Sequence, residues 1–133
     1  MKKLLLLFFV SAFFLVSCGG KDIPEVHNDY LLQHNWHIKK FQKAETKVLD
    51  HFPEYYESLR IADLDLKEYE GKEVTITSYL LKEKQINGEK MTAHIYEYDG
   101  DIIGGHGVLA NWSPGLFSLT DKQRLMDEGI MKK

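Results

Sequence analysis

Asn87-Gly88 and Asp99-Gly100 each interrupt a stretch in which apolar and polar residues alternate. Both dipeptides suit a two-residue type I′ turn, whose two central positions need positive φ. Three strands follow, Lys72 to Gln85, Glu89 to Tyr98 and Asp101 to Leu109, joined as an antiparallel meander. Pairing 86 with 89 and 98 with 101 sets the register, placing Ala93 opposite Lys82 and His106, and His94 opposite Leu81 and Gly105. Val74, Ile76, Leu80, Met91, Ala93 and Ile95 then share the expected core face. Tyr79, Leu81, His94, Tyr96, Tyr98, Gly105 and Gly107 share the other.

Upstream of the meander the period changes. Val26, Tyr30 and Leu31 recur at helical spacing after Pro24, predicting a short helix that ends near Asn35. Trp36 to Phe41 and Thr46 to Leu49 read as short strands. Pro53, with Glu54 and Glu57 behind it and Phe52, Tyr55, Tyr56 and Leu59 spaced three and four apart, predicts a second helix reaching about Ile61. Thr120 and Asp121 open a third, which frays at Gly129. The expected architecture is α+β, a three- to five-stranded antiparallel meander with two or three short helices packed on one face.

The N-terminus carries an address. Met1-Lys2-Lys3 precedes an apolar run from Leu4 to Val16, too short for a helix that must cross a bilayer in about 20 residues, so a cleaved signal peptide is expected. The run ends Leu15-Val16-Ser17-Cys18, the lipobox pattern of bacterial lipoproteins: a small residue lets the peptidase reach the bond, and the thiol takes a diacylglyceryl thioether. Cys18 is the only cysteine, so lipidation there leaves the mature chain without an internal disulfide. The expected organisation is residues 1–17 as signal peptide, 18–24 as lipidated cysteine and tether, and 25–133 as one small domain, held outside the cytoplasm. Its place would be the outer face of the cell membrane, or the periplasm or outer membrane of a two-membrane bacterium.

Loss of residues 1–17 takes away two lysines and no acid, moving the formal charge from −3 to −5. An acidic surface is the wrong footprint for nucleic acid. Lys39, Lys40, Lys43 and Lys47 cluster, but Glu45 interrupts them, and a solvated face accounts for the group.

Three stretches carry a resemblance: Leu31-Leu32-Gln33-His34-Asn35-Trp36-His37-Ile38, then Asp65 to Val74 with its Glu70-Gly71-Lys72, then Ile95 to Gly105 with its Tyr98-Asp99-Gly100-Asp101. In these the chain resembles an uncharacterised family of small membrane-anchored bacterial proteins, met mainly in Gram-positive genomes and known as a domain of unknown function. The resemblance implies the fold and the anchored address and carries no catalytic residue.

Chemistry has few places to sit. Tyr79, His94, Tyr96 and Tyr98 around a clearing made by Gly105 and Gly107 form a candidate ligand face, where aromatic rings over glycine backbone could stack a planar group. The competing account is strand chemistry, with aromatics laid across cross-strand glycines as packing. No pair among the six histidines has a metal-motif spacing, and His27 and His34, which share a helical face with Leu31, read as solvated or partly buried. His106 falls on the expected core face in a hydrogen-bonded structural role. Asn111-Trp112-Ser113-Pro114-Gly115 lacks the first glycine of a nucleophile elbow, and Gly104-Gly105-His106-Gly107 lies within a strand, not before a helix, so neither an acyl-transfer nor a phosphate-cradle motif is present. The acids Asp63, Asp65, Glu68 and Glu70 lack the pattern of a calcium loop.

These observations predict a cell-envelope lipoprotein with no cofactor, reaching the membrane through lipid on Cys18. Its domain is expected to be a non-enzymatic module that binds an envelope protein, a peptide or a glycan. The alternatives are a small envelope hydrolase with His94 or His106 as base, which needs a nucleophile the sequence does not reveal, and a purely structural or regulatory lipoprotein.

Overall fold

A computed structural model describes residues 22–113 and 115–132. The expected signal peptide, Cys18 and most of the tether lie outside these residues. The elements in chain order are α1 (Glu25–Leu32), β1 (Ile38–Val48), α2 (Pro53–Ile61), a 3-10 turn (Lys67–Tyr69), β2 (Glu73–Lys84), β3 (Lys90–Tyr98), β4 (Asp101–Leu109), β5 (Leu116–Phe117) and α3 (Lys122–Asp127). The strands form one five-stranded antiparallel sheet in the order β1-β2-β3-β4-β5. The fold is the expected α+β meander. No helix among the described residues is long and apolar enough to cross a membrane.

Local chemistry explains the boundaries. Pro24 precedes α1, and its carbonyl accepts from His27 N and Asn28 N. At the other end Asn35 adopts φ 66 and lets Trp36 N donate to Leu31 O at 2.9 Å, the six-to-one closure of a Schellman cap. Trp36 is thereby delivered into the core, where its indole N–H donates to Leu119 O. Pro53 starts α2 with its fixed φ and no N–H to leave unpaired. The two short strands expected before α2 are one long β1, whose bulges between Ile38 and Lys40 and between Phe41 and Lys43 hide its alternation.

The register differs from the expected one. Asp99-Gly100 is a type I′ turn, with φ 51 and 87. At the other hairpin Gly88 alone of the pair has positive φ: Gly88 N donates to Gln85 O and Gln85 N to Glu89 O, making a three-residue loop with a glycine bulge. A second irregularity, between Leu80 and Lys84, takes β2 further, so that Ser78 faces His94 and Tyr79 faces Ala93. Relative to the expected pairing β2 slides by three positions and β4, through a bulge between Tyr96 and Glu97, by one. Odd slides exchange faces.

Two cores result. Tyr79, Leu81, Met91, Ala93, Ile95 and Phe117 lie under α1, Trp36 and α3. Val74, Ile76 and Tyr96 lie under α2 with Tyr56, Leu59 and Leu66. The helices therefore divide between both faces of the sheet, not one as the sequence suggests. β2 is buried without a break from Ile76 to Leu81 for this reason.

Candidate functional site

The altered register assembles a polar row. Lys43 of β1, Ser78 of β2, His94 of β3 and His106 of β4 are cross-strand neighbours in succession, and Glu45, Ile76 and Tyr96 form the next row. With Tyr55 of α2 these residues line a cavity of about 170 Å³.

Its floor is a set of hydrogen bonds. Ser78 Oγ is 2.7 Å from His94 Nδ1, and the His94 and His106 rings are 5.0 Å apart. His106 Nδ1 lies 3.1 Å from Gly107 O. Since a carbonyl only accepts, Nδ1 carries the proton, and in the neutral ring Nε2 must accept from the Tyr96 hydroxyl, 3.1 Å away. Tyr55 of α2 lines the cavity beside the Tyr96 phenol. Burial, followed by the neighbouring His106 and Lys43, pushes the His94 imidazole down to about 4. Burial also lowers His106, against the pull of the Gly107 carbonyl, and raises the Tyr96 phenol. The floor is thus neutral near pH 7, whereas the rim carries Lys43, Lys47 and Glu45, with Lys43 Nζ 3.9 Å from the Glu45 carboxylate.

The expected ligand face splits in two. His94 and Tyr96 belong to this site. Tyr98 shares their face but lies beyond the cavity, packed against the Tyr69 ring 5.4 Å away. Tyr79, Gly105 and Gly107 are on the opposite face, where there is no clearing: Phe117 covers Gly107, and Leu119 and Tyr30 cover Gly105. His106, expected beside Ala93, is beside His94 because the β4 bulge moves it across the sheet.

A second polar cluster sits on that opposite face. His27 Nε2 lies 3.1 Å from Glu97 Oε1 and Nδ1 is 2.6 Å from the Tyr79 hydroxyl. His27 is 3% exposed and Tyr79 fully buried. Burial, then the Glu97 charge, pushes the Tyr79 phenol up to about 12. Both ring nitrogens of His27 and the Tyr79 hydroxyl have a partner within this triad, so it acts as a pin between α1 and the sheet. Its signal in the sequence was the spacing of His27 and Leu31, which puts His27 on the inward side of α1 once Leu31 is core.

Ser78, Lys43 and Tyr55 were not legible as site residues, because only the bulged register brings them to His94. Among the described residues no three of His, Cys, Asp and Glu are grouped to hold a metal ion. Comparison with protein-family models, with curated proteins and with solved structures finds no match to this chain.

Proposed function

We propose that this chain is a lipid-tethered, non-enzymatic binding module of the bacterial envelope, and that its ligand enters the cavity over Ser78, His94, Tyr96 and His106. The observation that carries this reading is the hydrogen-bonded floor, Ser78 with His94 beside Tyr96 with His106. Its polar groups are costly to bury, yet they are gathered at one open cavity. The resemblance to small membrane-anchored bacterial proteins and the lipobox at Cys18 support the tethered address.

The Ser78–His94 bond favours a second reading, the hydrolase, since it supplies a hydroxyl beside a histidine. Two features count against it. Ser78 lies in a central strand, paired by β1 and β3, so the backbone donors around it belong to the ladder and none forms an oxyanion hole. An imidazole at about 4 is also a poor base near pH 7.

Both readings are tested on the purified full chain in detergent. Amide and imidazole NMR shifts are followed against a panel of sugars, short peptides, carboxylates and phosphates. Saturable changes centred on Ser78, His94 and His106 are expected. Changes absent from those residues overturn the cavity as ligand site, and ester hydrolysis that disappears in Ser78→Ala overturns the non-enzymatic reading.

A further inference from the structure

Resting on the reading of the cavity as a ligand site, we infer that the group it takes is a small oxyanion, a carboxylate or a phosphate, held between the Lys43 ammonium and the His94 ring.

The argument begins with an inventory of donors. His106 is used at both nitrogens, by Gly107 O and by the Tyr96 hydroxyl, whose proton is thereby spent. His94 is bonded at Nδ1 to Ser78, while its Nε2 has no hydrogen-bond partner among the described residues. When the Ser78 hydroxyl donates into Nδ1, Nε2 must carry the proton, and the site presents an N–H without an acceptor. The charged rim is cationic by one, Lys43 and Lys47 against Glu45. Lys43 stands in the same cross-strand row as His94, and its ion pair with Glu45 is long and exposed. An oxyanion in this place accepts from His94 Nε2 and faces the Lys43 charge, satisfying both. A neutral ligand meets the first need and not the second. The volume, about 170 Å³, suits a group of a few heavy atoms and is below the roughly 300–1,000 Å³ of drug-sized sites.

Proton linkage follows. The groups facing His94 are Ser78 on β2, Tyr96 on β3, His106 on β4, Lys43, Glu45 and Lys47 on β1, and Tyr55 on α2. Among them, burial, His106 and Lys43 disfavour imidazolium. A bound anion opposes that, so it raises the His94 pKa and binds more tightly as the pH falls towards that pKa.

The test uses histidine-labelled full chain in detergent at pH 7, titrated with acetate, with inorganic phosphate, with acetamide as the uncharged counterpart of acetate, and with chloride at matched ionic strength. Acetate or phosphate should shift the His94 ring saturably, raise its pKa by at least one unit and leave His27 unmoved. Lys43→Met should weaken that binding about tenfold. The stronger of the two anions identifies the group. If acetamide saturates the site and neither anion does, the oxyanion inference falls while the cavity remains a ligand site. If no probe moves His94 beyond the chloride control, the inference falls as well. The wider panel of sugars and peptides then decides whether the cavity binds anything.

Discussion

The Tyr79 hydroxyl and His27 Nδ1, separated by 52 residues in sequence, meet at 2.6 Å in the buried space between α1 and the sheet. With the Glu97 carboxylate 3.1 Å from His27 Nε2, the proton of a neutral ring belongs on Nε2, so that Nδ1 accepts from the Tyr79 hydroxyl. Tyr79→Phe keeps the ring and removes that donor, leaving a buried nitrogen unpaired at a cost of about 1–3 kcal/mol. Urea unfolding should show a lower midpoint with an unchanged slope. A change below about 0.5 kcal/mol, the usual scatter of harmless surface substitutions, would mean that the pin does not hold α1.

Gly105 and Gly107 make a paired prediction. A Cβ at Gly107 overlaps the Phe117 ring, whereas a Cβ at Gly105 lies 2.7 Å from the His94 backbone oxygen. Alanine at either position overpacks the core, by about 1–3 kcal/mol. The remedies differ, since a side chain can be shortened and a ladder carbonyl cannot. Phe117→Leu should restore much of the stability lost in Gly107→Ala and none of that lost in Gly105→Ala. Equal rescue of both, measured by thermal unfolding, would refute the assignment of Gly107 to Phe117.

What the sequence revealed and what it hid follow from one physical distinction. Periodicity and turn chemistry are local, so the strands, the Asp99-Gly100 turn, the Asn35 cap and the Pro53 helix start are all readable from short windows. Register is a sum of local shifts. Asn87-Gly88 is compatible with a two-residue turn or with a three-residue loop, and only the structure shows Gly88 alone in the left-handed region. The irregularity after Leu80 and the bulge beside Gly104 leave no periodic trace. Each odd error reverses a face, which is why strand alternation groups His94 and Tyr96 with Tyr79 although a sheet separates them. The near-unbroken apolar run of β2 was the available hint that both faces are covered.

The histidine pair makes stability depend on pH. His94 is pushed down to about 4, by burial first, and His106 is lowered by burial as well. In the unfolded chain both return to about 6.5. Between those limits the unfolded state binds more protons, so this stabilisation is complete above about pH 6.5 and is lost as the pH falls towards 4. For His94 the loss is of order 3 kcal/mol. Glu83 acts lower. Burial would raise its carboxyl, but hydrogen bonds from His37 and Lys122 outweigh that and lower it, so its contribution is lost only as the pH falls below about 4.5. Urea midpoints at pH 7 and pH 5 should therefore differ in the wild type, and His94→Gln should shrink the difference. An equal drop in both proteins would assign the dependence elsewhere.

The tether is tested at Cys18. The thirteen residues from Leu4 to Val16, apolar but for Ser11, are too few to span a hydrocarbon core about 30 Å thick, so the proposed attachment of the mature chain would come from lipid. One acyl chain gives marginal, reversible binding; the diacylglyceryl group expected on this thiol supplies two, each burying methylenes at about 0.8 kcal/mol apiece. The wild type, expressed in a bacterium fed radioactive palmitate, should carry the label and have a mass showing loss of residues 1–17. Cys18→Ser should carry no label and keep the full precursor mass, because processing at a lipobox follows lipidation. Fractionation alone would mislead, since the uncleaved apolar run of the variant can hold it at the membrane. Label and mass separate the two cases: an unlabelled wild type, or a variant cut after Ser17 like the wild type, would make this an ordinary secreted chain whose cysteine is incidental.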